Sequence, residues 1–309
     1  MTIKIGNSSI KRIQLGSNIV KSAYLGNVLV YGQQIDTPVE PPVEIQIDAS
    51  YNYFMIDTSL SEYNSVSLIR SRAGDETSWD ELTDWGDGTV NSENTHTYSS
   101  NGIYVIKTKW IINNYLYNFS GDKVLRTMLV KCLNVNNNMT CFGGLFFGCI
   151  NLISVDFDKN STYTSTSKSM SCTFFGCRNL KSIDLSNFET SDELKYMYAT
   201  FRGCSSLTSL DLSNFYVYNL QTIQDLFRDC IKLNKLNLGE FFIAYAGINR
   251  INMFYNTPEL LLENIIVGDL MLNKITEAYN KKDTLDPNNP NSTDEPLDFS
   301  DTLWNEMLG

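Results

Sequence analysis

The 309-residue chain contains one histidine, His96, and only 24 Lys and Arg against 35 Asp and Glu. A lone imidazole excludes the H-E-x-x-H metalloprotease pair and any centre built on several histidine ligands. The formal charge of −11 is spread along the chain, with a denser acidic stretch near the end, and opposes binding to nucleic-acid phosphates. No apolar run reaches the roughly 18 residues that mark a membrane span, so no membrane insertion is expected. The start, Met1-Thr2-Ile3-Lys4-Ile5-Gly6, has no apolar stretch of secretory-signal length. That points to a chain that stays inside the cell or leaves by another route, such as release within an assembled particle. C-x-x-C pairs, a G-x-S-x-G elbow, a Walker loop and a dinucleotide fingerprint are all missing. Spacing alone leaves paired carboxylates for glycosidic cleavage open. The expectation is a non-enzymatic protein with no cofactor and no bound metal.

The seven cysteines, by contrast, are concentrated between Cys132 and Cys230, and four of them share one repeat position. Phe146-Phe147-Gly148-Cys149, Phe174-Phe175-Gly176-Cys177, Phe201-Arg202-Gly203-Cys204 and Phe227-Arg228-Asp229-Cys230 recur at steps of 28, 27 and 26 residues. Three, six and eight residues after each cysteine stands an apolar residue: Leu152, Val155 and Phe157; Leu180, Ile183 and Leu185; Leu207, Leu210 and Leu212; Leu233, Leu236 and Leu238. A period of this size marks a solenoid, whose units bury their apolar faces only by stacking. Leu194, Met197 and Thr200-Phe201, like Leu220, Ile223 and Leu226-Phe227, are spaced by three, predicting a short helix in each unit. The Leu-x-x-Leu-x-Leu segment predicts one parallel strand. The shared cysteines read as buried fillers, with a disulfide ladder as the sharper alternative.

The N-terminal 32 residues carry a shorter repeat: Ile5-Gly6-Asn7, Leu15-Gly16-Ser17 and Leu25-Gly26-Asn27. Short alternating stretches broken by such pairs predict very short strands and tight turns. A module of this size has no core of its own and needs a partner surface or an oligomer. Residues 33–44 hold three prolines and three acidic residues and no glycine, which favours an extended spacer. From 45 to 115 an alternating, aromatic-rich pattern predicts an all-β sandwich. The repeat region occupies 116–282, and 283–309 is a polar tail. Its end, Leu297 to Leu308, puts Leu303, Trp304, Met307 and Leu308 at helical spacing behind Phe299, with Ser300 as the cap. Such a tethered amphipathic helix is a docking peptide, or it folds back on the chain's own repeats.

Asp84-Trp85-Gly86-Asp87-Gly88-Thr89, then His96-Thr97-Tyr98 and Gly102-Ile103-Tyr104-Val105, resemble the PKD-like immunoglobulin-like sandwiches. The resemblance implies a buried tryptophan, a tight glycine turn and a non-catalytic spacer or binding module. His96 is read as a packing and hydrogen-bonding residue, and Asp84 with Asp87 as a structural turn rather than a calcium loop. Residues 142 to about 270 resemble the BspA-like leucine-rich repeats, closely so in Leu180-Lys181-Ser182-Ile183-Asp184-Leu185-Ser186-Asn187-Phe188 and Leu207-Thr208-Ser209-Leu210-Asp211-Leu212-Ser213-Asn214-Phe215. Departures fall at the ends. A polar insertion lies around Lys159 to Ser169, and a degenerate fifth unit, Met253 to Leu260, has Thr257 in place of cysteine. The N-terminal module is similar to the start of tailed-bacteriophage structural proteins.

These features together give the expected fold class: a multidomain chain with a β module, an immunoglobulin-like sandwich, an α/β leucine-rich-repeat solenoid and a tail helix. The expected function is that of a head or tail fibre component of a virion, with a bacterial cell-surface adhesin as the alternative. Residues 1–32 and the tail are expected to meet other virion proteins, with homo-oligomer formation, and the repeats a host surface protein or glycan. The outward strand positions are the contact candidates: Ser182, Ser209 and Lys235, with Asp156, Asp184 and Asp211 as a column of like charges about 4.8 Å apart. That column is also a candidate calcium site. Water-exposed, weakly repelling strand-end residues are its plainer reading.

Overall fold

A computed structural model of the protein describes residues 13–15, 18–20, 23–25, 28–31, 43–44, 47–48, 50–68, 82–109, 123–135, 142–157, 163–165, 169–190, 194–215, 217, 219–239, 248–268 and 272–283. Within them the chain is mostly β-structure with few helices, and no sheet closes into a barrel.

Four short N-terminal strands, β1 (Ile13–Leu15), β2 (Asn18–Val20), β3 (Ala23–Leu25) and β4 (Val28–Tyr31), pair as two antiparallel couples. The last two residues of the expected spacer form β5 (Val43–Glu44), parallel to β3. Next come β6 (Asn52–Asp57), β7 (Ser65–Ser67), β8 (Thr83–Asp84), β9 (Val90–Asn91), β10 (Thr95–Thr97) and β11 (Ile103–Thr108). β6 and β11 are antiparallel over six residue pairs, while β7 and β10 form a separate two-stranded sheet. Tyr53-Phe54-Met55-Ile56 and Ile103-Tyr104-Val105-Ile106 are buried without alternation, so both faces of these strands are shielded from water. β1 adds parallel to β11, Ile13 opposite Ile103. The N-terminal strands therefore have a partner surface within their own chain.

Helix α1 (Lys123–Met128) buries Leu125 and Met128, three apart, and runs directly into β12 (Leu129–Val135). β12 lies antiparallel to β6 on one side and parallel to β13 (Ser154–Phe157) on the other. The first strand of the 116–282 region, which the sequence pattern did not announce, is thus shared with the preceding sheet. One buried cluster accordingly runs from Phe54 to Ile275.

The polar insertion supplies β14 (Tyr163–Ser165), which pairs parallel with β15 (Phe188–Thr190). It contributes a strand where sequence suggested an interruption. β16 (Ser209–Asp211), β17 (Lys235–Gly239) and β18 (Ile265–Val267) form a three-stranded parallel sheet, followed by helix α2 (Leu272–Tyr279). Isolated parallel bridges join Ser169, Tyr196, Thr222 and Asn249 in series. α2 covers the end of the stack: Ile275 is buried, Tyr279 sets its ring on Phe254, and its hydroxyl donates to the Leu260 carbonyl at 2.9 Å.

The expected helix in each unit is replaced by a tight coil. Residues Gly144, Cys172, Ala199, Asp225 and Asn252 have φ between 50° and 66°. Four residues later Gly148, Gly176, Gly203, Asp229 and Asn256 are left-handed too, with φ between 55° and 74°. Left-handed residues at both positions are incompatible with a right-handed helix. Apolar spacing by three arises here because alternate amides bond within the unit and to the next unit. Phe147 N–H donates to Gly144 O, whereas Phe146 N–H donates to Thr173 O at 2.8 Å, and the same alternation recurs along the stack. This stacks Phe146, Phe174, Phe201, Phe227 and Phe254 with ring centres 5.4, 5.5, 6.0 and 5.8 Å apart.

Candidate functional site

The residues after those phenylalanines form a second column: Phe147, Phe175, Arg202, Arg228 and Tyr255. Phe147 and Phe175 stack at 4.9 Å, the Arg202 guanidinium lies 5.3 Å from the Phe175 ring, and that of Arg228 lies 5.2 Å from the Tyr255 ring. Cations over aromatic faces keep the column continuous where the side-chain type changes. The arginines are nevertheless buried, and their counter-charges come from the left-handed positions. Asp225 sits 3.8 Å from Arg202 and 3.7 Å from Arg228; Asp229 sits 3.9 and 3.3 Å from them. Burial raises the Asp225 carboxyl above its ordinary range, against the opposing pull of both guanidiniums. Sequence reading missed this cluster. Its signal was the change from aromatic to arginine at one repeat position, together with aspartate where the neighbouring units carry Ala199 or Gly203.

The shared cysteines point into the stack. Cys177, Cys204 and Cys230 donate their thiols to Phe146 O, Phe174 O and Phe201 O of the preceding unit at 3.1, 3.1 and 3.0 Å. Burial pushes the Cys149 thiol up to about 12 despite nearby Arg126, and raises the other three. Cys132, Cys149, Cys172, Cys177, Cys204 and Cys230 are all free and buried. Among these six the disulfide ladder does not form; Cys141 lies outside the described residues.

On the outward side, the column of aspartates is not regular. β13 and β16 belong to different sheets, and residues 181–185 between them form no strand. Asp156, Asp184 and Asp211 are therefore not three rungs of one ladder. Each has its own local partner. Asp156 lies 3.6 Å from Lys131, Asp184 accepts from Ser186 N–H at 3.0 Å, and Asp211 accepts from Ser213 N–H at 2.8 Å and from Asn237 Nδ2 at 3.1 Å. Burial alone would raise the Asp211 carboxyl, but the hydrogen bonds from Ser213 and Asn237 hold it below the usual value. Ser182 and Ser209 are exposed, as is Lys235, which stands opposite Ser209. Where the strands separate, a hollow of about 130 Å³ is lined by Ser154, Asp156, Ser182, Asp184 and Asn187 together with the apolar Val155, Phe157 and Ile183. Its lining is mixed, five polar residues with two carboxylates among them against three apolar ones, which suits a group that is cationic or hydroxyl-bearing on one side and apolar on the other. Among the described residues no three His, Cys, Asp or Glu side chains converge as metal ligands, and no helix is long and apolar enough to cross a membrane.

A third arrangement surrounds Trp85, which is fully buried. His96 stacks on it at 5.1 Å and holds Asp87 Oδ2 through Nε2 at 2.7 Å. Trp85 Nε1 donates to Asn91, and Tyr98 donates its hydroxyl to Trp85 O. Asp84 and Asp87 accept from Gly86 N–H and Thr89 N–H, closing the turn on itself. A Cβ on Gly86 would stand 2.6 Å from Val105 O, which explains the glycine. His96 therefore occupies a packed, hydrogen-bonded place. The tail candidates Phe299, Leu303, Trp304, Met307 and Leu308 lie outside the described residues.

A mostly β chain that stacks repeats and carries its polar groups on an outward strand face is thus the class in view. Residues 144–264 match the family described as "Mycoplasma protein of unknown function, DUF285". No curated protein matches the chain, and no solved structure does.

Proposed function

We propose that the protein is a non-enzymatic structural component of a tailed-bacteriophage virion, a head or tail fibre or decoration protein. In this reading the repeats are a BspA-like leucine-rich-repeat solenoid that meets a host surface protein or glycan. The Trp85 region is a PKD-like spacer, and residues 1–32 attach the chain to other virion proteins or to further copies of itself. The observation that supports it most is the single core from Phe54 to Ile275, with the shared strand β12 inside it. Such continuity suits a stiff part that carries load and presents a surface, its interior among the described residues filled by stacked rings, thiols and paired charges. The ten-residue N-terminal repeat supplies the virion reading itself.

The test is incorporation. A chain lacking residues 1–32 that still folds, judged by its melting transition, is expected to be absent from purified particles. Undiminished incorporation would overturn the proposal. The second reading is a bacterial cell-surface leucine-rich-repeat adhesin; the family matched by residues 144–264 is of unknown function and does not choose between the two. Recovery of the chain with washed cell envelopes, and none with particles, would select that alternative.

A further inference from the structure

β18 pairs with β17 on one edge, and no described strand pairs with the other. An open strand edge presents unpaired amides and carbonyls and is normally covered. Ile266 on this strand is 63% exposed. The outward positions in register with it on the two preceding strands are Asn237 and Asp211, so an apolar residue here is out of keeping with a surface left to water.

The preceding units share a local grammar at this place. Ile183-Asp184-Leu185-Ser186, Leu210-Asp211-Leu212-Ser213 and Leu236-Asn237-Leu238-Gly239 each send apolar residues inward on both sides of an outward Asp or Asn. That Asp or Asn then accepts from the amide two residues on, at 3.0, 2.8 and 3.1 Å. Beyond α2 the sequence returns to the same pattern once more, in Leu297-Asp298-Phe299-Ser300. Pro296 precedes it and biases its own predecessor to extended backbone.

The chain also leaves the stack in the right place. Lys282 O accepts from Asn256 N–H at 2.9 Å and Lys282 Nζ donates to Leu260 O at 3.4 Å, only a few residues before β18 begins. The connection from Asp283 to Leu297, at about 3.3–3.6 Å per residue, is long enough to cross from the coil side to the strand side many ångströms over. A strand tethered so closely competes at a high effective concentration against one arriving from another molecule.

We propose that Leu297 to Phe299 of the same chain pair in parallel with the open edge of β18, Leu297 opposite Ile265 and Asp298 opposite Ile266, closing the stack. Phe299 then belongs to a strand, and only Leu303, Trp304, Met307 and Leu308 remain for a docking helix. An equivalent strand from a second copy is the competing occupant.

The full-length double variant I266C/D298C tests this under mild oxidation at low protein concentration. A disulfide between the two new cysteines within one chain, identified by peptide mass, is expected; I266C/L297C, whose second thiol faces inward, should stay unlinked. A link joining two chains would overturn the assignment in favour of a second copy, and equal or absent linking in both variants would overturn the pairing itself. Hydrogen exchange gives an independent reading in the full-length variant L297D/F299D. Loss of amide protection at residues 265–267 is expected, and unchanged protection would overturn the proposal.

Discussion

Arg228 and Asp225, three residues apart, face each other at 3.7 Å with both side chains shut off from water. Arg202 from the preceding unit completes the group, so this ion cluster ties two successive coils together across the stack. The four nitrogen-to-oxygen separations between these arginines and Asp225 and Asp229 run from 3.3 to 3.9 Å, which makes the attraction a weak return on the desolvation of four charges. Removing one partner is worse than never having had the group. D225A is expected to cost about 3–5 kcal/mol, read as a lower urea midpoint at unchanged slope. The triple variant R202F/R228Y/D225N, which extends the aromatic column of Phe147, Phe175 and Tyr255 and repeats Asn252, is expected to melt at or above the wild-type midpoint.

The same carboxyl has a pH signature. Because its folded value is raised by burial, the native state holds the Asp225 proton at pH values where the unfolded chain has released it. Its contribution to stability therefore falls as pH rises from the ordinary carboxylate value through the folded one. Asp87 behaves oppositely. Burial would raise it, but hydrogen bonds from Thr89 and His96 prevail and lower it, so its contribution is present above the ordinary value and is lost as pH falls below about 4. D87N is expected to flatten the acid limb of a melting-temperature profile, and D225N to remove an opposing slope that lies above the ordinary carboxylate value.

Thiol chemistry gives a sharper yes-or-no outcome. Titration with an aromatic disulfide reagent at pH 8 is expected to leave Cys132, Cys149, Cys172, Cys177, Cys204 and Cys230 unmodified in the native protein, because each is buried and its thiolate disfavoured. All six should react once the chain is unfolded in denaturant without reductant. Cysteines that stay unreactive after denaturation would reveal disulfides.

How much of this was legible beforehand varies with the residue. The recurrence of Phe-x-x-Cys and the apolar set behind it located the stack and the burial of its cysteines, because both follow from side-chain type at a fixed step. The coil was misread as a helix because spacing by three is common to both. The discriminating left-handed positions are filled by Cys172, Ala199 and Asp225, not by glycine alone, so nothing in residue type announced them. β12 was invisible as a shared strand because Leu129 to Val135 is buried on both sides and carries no alternation to assign it to either neighbour. The aspartate column failed for a geometric reason: regular stacking was assumed, and the chain at 181–185 departs from it.

Ala199 offers the most direct test of the coil itself. It holds φ at 50°, where an L-residue costs roughly 1–2 kcal/mol, while Gly144 and Asn252 fill the matching positions of other units. A199G relieves that strain but adds unfolded-state freedom worth about 0.4–1 kcal/mol, and it also gives up one fully buried methyl group, worth about 0.8 kcal/mol. A199N keeps a side chain and is well suited to left-handed backbone, but its amide must be accommodated in a site with no exposure. The strain term is the largest of these for glycine and is opposed by the sum of the other two, so A199G is expected to lie within about 1 kcal/mol of wild type. A right-handed helix at this place would instead make glycine cost about 1 kcal/mol against alanine in propensity, with the buried methyl lost in addition. A199P is expected to abolish cooperative unfolding, since proline cannot reach positive φ and also removes the N–H that Ala199 donates to Gln224 O at 2.9 Å; a helix would suffer from proline as well, so A199G is the variant that separates the two cases, and a urea midpoint close to wild type for A199P would contradict the left-handed coil.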